Sequence, residues 1–145
     1  MPTISMTRTI HAPAKRVFDA WTDPEQMQRW LAPHPNTVRE ATADARPGGR
    51  YSIVVVDAAG NLYSTTGEYR EVVPGVRLVK TWDYTGPNVI GAMTSLLTVE
   101  FREVSPGVTE LTLTHSELPD QKIAAGANYG WKMCLDQLAA LVGNH

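Results

Sequence analysis

His115 sits near the end of the run VTELTLTHSEL, two residues past Leu113 and four past Leu111. Strand alternation therefore turns its imidazole to the same face as those leucines. An imidazole titrates near neutrality, so in such a setting it suits general acid–base work on an aromatic or polyketide-like molecule. Tyr51, Tyr69 and Tyr129 offer hydroxyls that would orient a phenolic or carbonyl oxygen. No paired carboxylate accompanies His115, so a structural histidine hydrogen-bonded at a strand end is the competing reading. Metal chemistry finds no support, because His11, His34, His115 and His145 are scattered and no HExxH, Cys-x-x-Cys or His-x-His spacing occurs. A Gly-rich phosphate loop and a Gly-x-Ser-x-Gly elbow are both missing. Cys134, the single cysteine, falls on the apolar side of a helical pattern and reads as a buried, inert thiol.

The chain that must position these groups has 145 residues, 43% apolar and 19% charged, with a formal net charge of −2. That length suits one domain, residues 1–145, with a real core. Nucleic acid and anionic membranes need a concentrated basic face, which the sequence lacks. One cysteine forms no internal disulfide, no leader pattern opens MPTISMTRTIHAP, and no apolar run reaches membrane-spanning length. The expectation is a soluble cytoplasmic domain without cofactor or metal, as monomer or homodimer.

TISMTRTI alternates as a strand, and Pro13 suits the first position of a helix carrying Ala14, Val17, Phe18 and Trp21 on one face. Asp23-Pro24-Glu25-Gln26 restarts a helix, with Asp23 as cap, Pro24 first and Gln26 completing a capping box. Two helices joined so closely raise the question of a DNA-reading helix-turn-helix. PEQMQRWL offers Arg29 and two glutamines but no basic surround, while Met27, Trp30 and Leu31 seek burial, so the pair reads as an end-cap. About six strands follow, in TVREATA, RYSIVVV, LYSTTGEYREVV, VRLVKTWDY, MTSLLTVEFREV and VTELTLTHSEL, joined by short Gly- and Pro-rich turns. Such turns dictate an antiparallel meander. A long helix over Ile123 to Val142 closes the chain, its apolar side holding Ala127, Trp131, Cys134, Leu135, Leu138 and Val142. The fold class is α+β: a curved antiparallel sheet of about seven strands around that helix.

Alternation sorts the strands into faces. Tyr51, Ile53 and Val55 point inward, as do Tyr63, Thr65, Gly67 and Tyr69, then Met93, Ser95, Leu97, Val99 and Phe101. In RLVKTWDY, Lys80 placed outward would carry Trp82 out with it, so an inward Trp82 would need a bulge. The inward set mixes hydroxyls with apolar groups, which an internal pocket explains better than a sealed core. The pocket residues expected are Tyr51, Ile53, Tyr69, Met93, Leu97, His115, Tyr129 and Met133, gated by Trp21 and Trp30. Gly126 and Gly130, four apart, imply close backbone approach to the sheet or room for a ligand, unless Gly126 merely precedes the start of the helix.

TRTIHAPAKRVFDAWTDPEQMQRWL, PGGRYSI, TGEYREVVPGVRLVKTWDY and NYGWKMCLDQLAALV occur in this order. In that arrangement the chain resembles the domain related to the heat-shock-protein-90 ATPase activator. That group belongs to the START-like (SRPBCC) superfamily, with polyketide cyclases and the birch-pollen allergen as relatives. The resemblance covers nearly the whole chain. It implies a helix-grip fold with a cavity for a hydrophobic ligand, and it transfers no catalytic set. The eukaryotic-type activators carry a further chaperone-binding domain for which this chain has no room. Three functions stay open: a binder of a small hydrophobic, possibly aromatic, molecule; a cyclase-, dehydratase- or hydrolase-type enzyme using His115; and a chaperone-associated interaction module.

Overall fold

Where the sequence breaks its alternating runs with Pro-Gly, the backbone must turn through a left-handed residue, and only glycine does so without strain. Gly75 and Gly107 adopt φ of 74° and 77°, closing the hairpins of a meander. In the computed structural model, which describes residues 2–86 and 93–143 (Met93 by its backbone alone), the strands are β1 (Ile4–Ile10), β2 (Thr37–Ala43), β3 (Arg50–Val56), β4 (Leu62–Val73), β5 (Arg77–Thr85), β6 (Met93–Ser105) and β7 (Val108–Ser116). They form one antiparallel sheet in the order β1-β7-β6-β5-β4-β3-β2. The helices are α1 (Ala14–Thr22), α2 (Pro24–Trp30) and α3 (Gln121–Gly143). This is the expected helix-grip architecture.

The helix starts differ in detail from the sequence reading. Pro13 precedes α1 as its cap residue and has no side-chain acceptor to offer. The carboxylate of Glu103, on β6, takes over and accepts the Ala14 N–H at 2.7 Å, a negative charge at the positive end of the helix. Asp23 does cap α2, accepting from the Glu25 N–H. Gln26 does not complete a capping box. Its amide donates to the Asp23 carboxylate and accepts from Arg16.

The inward faces of β3, β4, β6 and β7 follow the period-two assignment, with Tyr51, Ile53, Tyr69, Leu97, Val99, Leu111, Leu113 and His115 all buried. Strand β5, whose facing the sequence leaves open, alternates as well. Lys80 points inward and is wholly buried, between Leu78 and Trp82 on the same face. No bulge is needed, since β5 pairs with β6 without interruption from Arg77↔Glu100 to Tyr84↔Met93. The positive charge suggested an outward side chain, but the register is set by Leu78 and the aromatic residues.

Helix α3 lies on that inward face. Its buried residues are Ala124, Trp131, Cys134, Leu135, Leu138 and Val142, and Asp136 reaches Arg8 of β1 at 3.6 Å. Helices α1 and α2 plug one end. Trp21, Trp30 and Met27 are fully buried there, and the Gln137 amide of α3 ties down the end of α2 through the carbonyls of Trp30 and Ala32. Among the described residues, no helix is long and apolar enough to cross a membrane.

Candidate functional site

The inward face is divided between a sealed core and a cavity. At one end of the strands, Tyr51, Ile53, Tyr69, Leu78, Leu97 and Leu113 pack into the core with α1 and α2. At the other end, Val55, Tyr63, Thr65, Trp82, Tyr84, Ser95 and His115 face a space of about 770 Å³. Leu31, Pro33, Asn36, Leu118 and Pro119 close its sides, and the first half of α3 covers it with Lys122, Ile123, Gly126, Ala127, Gly130, Trp131 and Cys134. A space of this size lies within the range typical of small-molecule sites.

Of the residues expected to contact a ligand, His115 lines this cavity. Tyr51, Ile53, Tyr69 and Leu97 point inward but sit in the core beneath the end-cap. Tyr129 is 65% exposed, because its position on α3 faces away from the sheet. Met133 is half-buried and not among the lining residues, and the Met93 side chain lies outside the described residues. Trp21 and Trp30 are core residues rather than gates. The Trp30 N–H donates to the Ala20 carbonyl at 2.9 Å, and its ring meets Trp21 edge-on at 4.6 Å. Sequence reasoning had placed Val55, Tyr63, Thr65 and Ser95 inward without assigning them to the cavity. The usable signal was position: each lies toward the strand end that leads to the β3–β4 or β5–β6 connection.

The floor is aromatic and internally bonded. Trp131 packs on Trp82 with ring centroids 5.1 Å apart, and on Trp21 at 5.7 Å. Thus Trp30, Trp21, Trp131 and Trp82, all the tryptophans of the chain, form one continuous run of ring contacts. The Trp131 N–H donates to His115 Nδ1 at 3.1 Å. An indole can only donate, so Nδ1 is the acceptor and the neutral ring carries its hydrogen on Nε2. That hydrogen is directed at Ser95 Oγ, 2.7 Å away, whose own hydroxyl donates to the Trp82 carbonyl at 3.1 Å. Burial lowers the His115 pKa to about 4. The imidazole is therefore neutral at physiological pH, with both nitrogens committed to protein partners, and its visible work is to fix the floor.

Cys134 lines the cavity as a thiol whose pKa burial raises to about 12, too high for a nucleophile near neutrality. Among the described residues, no three His, Cys, Asp or Glu side chains form a metal-binding group. The two helix glycines are explained by space. A Cβ added at Gly126 or Gly130 meets nothing within 4 Å, so close backbone approach is not their reason. Both line the cavity, and side chains there would fill it. Gly126→Ala and Gly130→Ala are each expected to raise stability by about 0.5–1 kcal/mol, the helix-propensity difference, as read by urea denaturation. A loss of stability in either would show that the helix needs glycine at that position.

Solved structures share this architecture. A protein from Chromobacterium violaceum is 30% identical, with 99% of this chain and 98% of that one covered and a TM-score of 0.88. A protein from Nitrosomonas europaea is 26% identical, with 96% and 92% covered and a TM-score of 0.79. The AHSA1 protein from Silicibacter pomeroyi, 22% identical with 96% of each chain covered, superimposes with a TM-score of 0.84. No curated protein matches the sequence. The family model described as Activator of Hsp90 ATPase homolog 1-like protein matches residues 11–143, and the chain belongs to that family.

Proposed function

We propose that the protein binds a small, largely apolar molecule, aromatic at least in part, in the cavity between α3 and the sheet. The observation that supports this reading is the cavity of about 770 Å³, roofed by two helical glycines at which an added Cβ meets nothing within 4 Å among the described residues. A protein selected only for stability would gain by filling such a space, since each buried methylene is worth about 0.8 kcal/mol. A guest burying on the order of 200 Å² of apolar surface gains about 5 kcal/mol, enough for sub-millimolar binding before any polar contact. The floor favours flat rings, because Trp82 and Trp131 present aromatic surface and their neighbours Ser95 and His115 are already bonded.

Native mass spectrometry after gentle purification should find a co-purifying small molecule. Titration with 1-naphthol should change the tryptophan emission, since two of the four indoles line the cavity. Gly130→Leu fills the roof and is expected to weaken 1-naphthol at least tenfold while the protein stays folded. Unchanged binding in that variant would place the ligand elsewhere.

A further inference from the structure

Directly behind the cavity floor lies a lysine with no partner. Lys80 is wholly buried, and among the described residues its ammonium has neither an ion pair nor a hydrogen bond. Its Nζ sits 4.2 Å from the centre of the Tyr51 ring and 5.6 Å from each of the Trp21, Tyr69 and Trp82 rings. Two further buried groups in this cage, the Trp21 N–H and the Tyr69 hydroxyl, are also without partners. All three can donate a hydrogen bond, and among the described residues none of them finds an acceptor. Leaving such groups unsatisfied is costly, and a methionine would fill the same volume without that cost.

The cage adjoins the cavity. Trp82, two residues along β5, lines the cavity, and Lys80 is in register with Leu97, which in turn pairs with the cavity residue His115. The described lining contains no Asp or Glu, and its one charged side chain is Lys122, exposed on the solvent side. Both cations near this space would welcome a negative guest, although the chain as a whole is acidic.

Resting on the reading of the cavity as a ligand site, we infer that its ligand is an apolar carboxylic acid whose carboxylate is anchored by Lys80. The apolar part fills the cavity. The flexible lysine stem brings the ammonium past the edge of Trp82 to meet the head group. Ring faces hold the ammonium when the site is empty, and the carboxylate replaces them with a charge-assisted hydrogen bond. Lys122 at the solvent side attracts the acid, and Lys80 fixes it. Burial also lowers the Lys80 pKa to about 7, a cost that a bound carboxylate would relieve.

Decanoate, 1-decanol and acetate test this by calorimetry at pH 6 on the parent protein, Lys80→Met and Lys122→Met. The parent is expected to prefer decanoate over decanol at least tenfold. Lys80→Met should abolish that preference while holding decanol within twofold, and should melt no lower than the parent. Lys122→Met should keep most of the preference. Equal decanoate binding by parent and Lys80→Met, or loss of the preference in Lys122→Met alone, overturns the assignment. Acetate binding as tightly as decanoate and depending on Lys80 would make this a small-anion site, against the inference. If 1-naphthol binds the parent and decanoate does not, the carboxylate assignment fails; if neither 1-naphthol, decanoate nor decanol binds, the cavity reading itself fails. On the unaltered protein, the carboxyl resonance of 13C-decanoate should remain that of the ionised form between pH 4 and 6. Ordinary titration there would show that no ammonium touches it.

Discussion

Stability is expected to climb in two steps as pH rises, one between about 4 and 6.5 and another between about 7 and 9. His115 produces the lower step. Its pKa is 6.5 in the unfolded chain and about 4 in the fold, so between these values the unfolded state binds the extra proton. Its stabilising effect is complete above pH 6.5 and is lost as pH falls to 4, about 3 kcal/mol in all. Lys80 produces the upper step by the same logic, with an ordinary value of 10.5 and a native value of about 7. The cost of burying its charge is fully present below pH 7 and diminishes as pH rises. Above pH 9 the sign is contested, because the Cys134 thiol, raised from 9.0 to about 12 by burial, makes the native state hold a proton that the unfolded state gives up. Tyr51 and Tyr69, which face Lys80 and are both raised by burial, act in the same direction above pH 10. The upper step is therefore confined to pH 7–9, at most about 1.4 kcal/mol per unit. The four ring faces favour the ammonium and shorten it. Urea denaturation across this range measures both steps. Lys80→Met should remove the upper step alone, and a flat profile from pH 7 to 9 in the parent would mean that the cage fully compensates the charge.

Trp131→Ala is expected to cost about 3–5 kcal/mol, as large aromatic truncations in cores do. The residue is 5% exposed and joins α3 to both parts of the inward face. It packs on Trp21 of the end-cap and on Trp82 of the cavity floor, and its N–H fixes the His115 tautomer. Its removal also leaves Nδ1 of a buried imidazole unpaired, adding to the loss. Trp131→Phe keeps most of the packing and loses the hydrogen bond, so it should fall between the parent and the alanine variant. A Trp131→Ala protein melting within a degree or two of the parent would show that α3 is not held by this residue.

Much of this architecture is legible in the sequence because its signals are local. Pro74-Gly75 and Pro106-Gly107 mark turns, and Leu111, Leu113 and His115 keep strict alternation. Trp131, Cys134, Leu135 and Leu138 recur at helical spacing. The division of the inward face into core and cavity is not local. Tyr51 and Val55 lie on the same face of the same strand, yet one is sealed beneath the end-cap and the other lines the cavity. That depends on where α1, α2 and the glycine-bearing half of α3 come to rest. Alternation says which way a side chain points and nothing about what covers it. The direction of Lys80 is left open by the sequence for a related reason. A lysine is rarely buried without a partner, and the aromatic residues that form its cage come from α1, β3, β4 and β5.

The position of β1 has a consequence for how the chain assembles. Strands β2 to β7 pair with their sequence neighbours and can zip together hairpin by hairpin. Strand β1 has β7 as its only neighbour in the sheet, and Ile10 must find Thr109, closing a loop of about a hundred residues whose entropy is lost before the contact repays it. A ribosome has therefore made every residue up to β7 before β1 has a place to go. Until then Trp21 and Trp30, carried on the helices that follow β1, have no finished core to enter. The last closure in the sheet joins β1 to β7, and it makes β1 the keystone of folding.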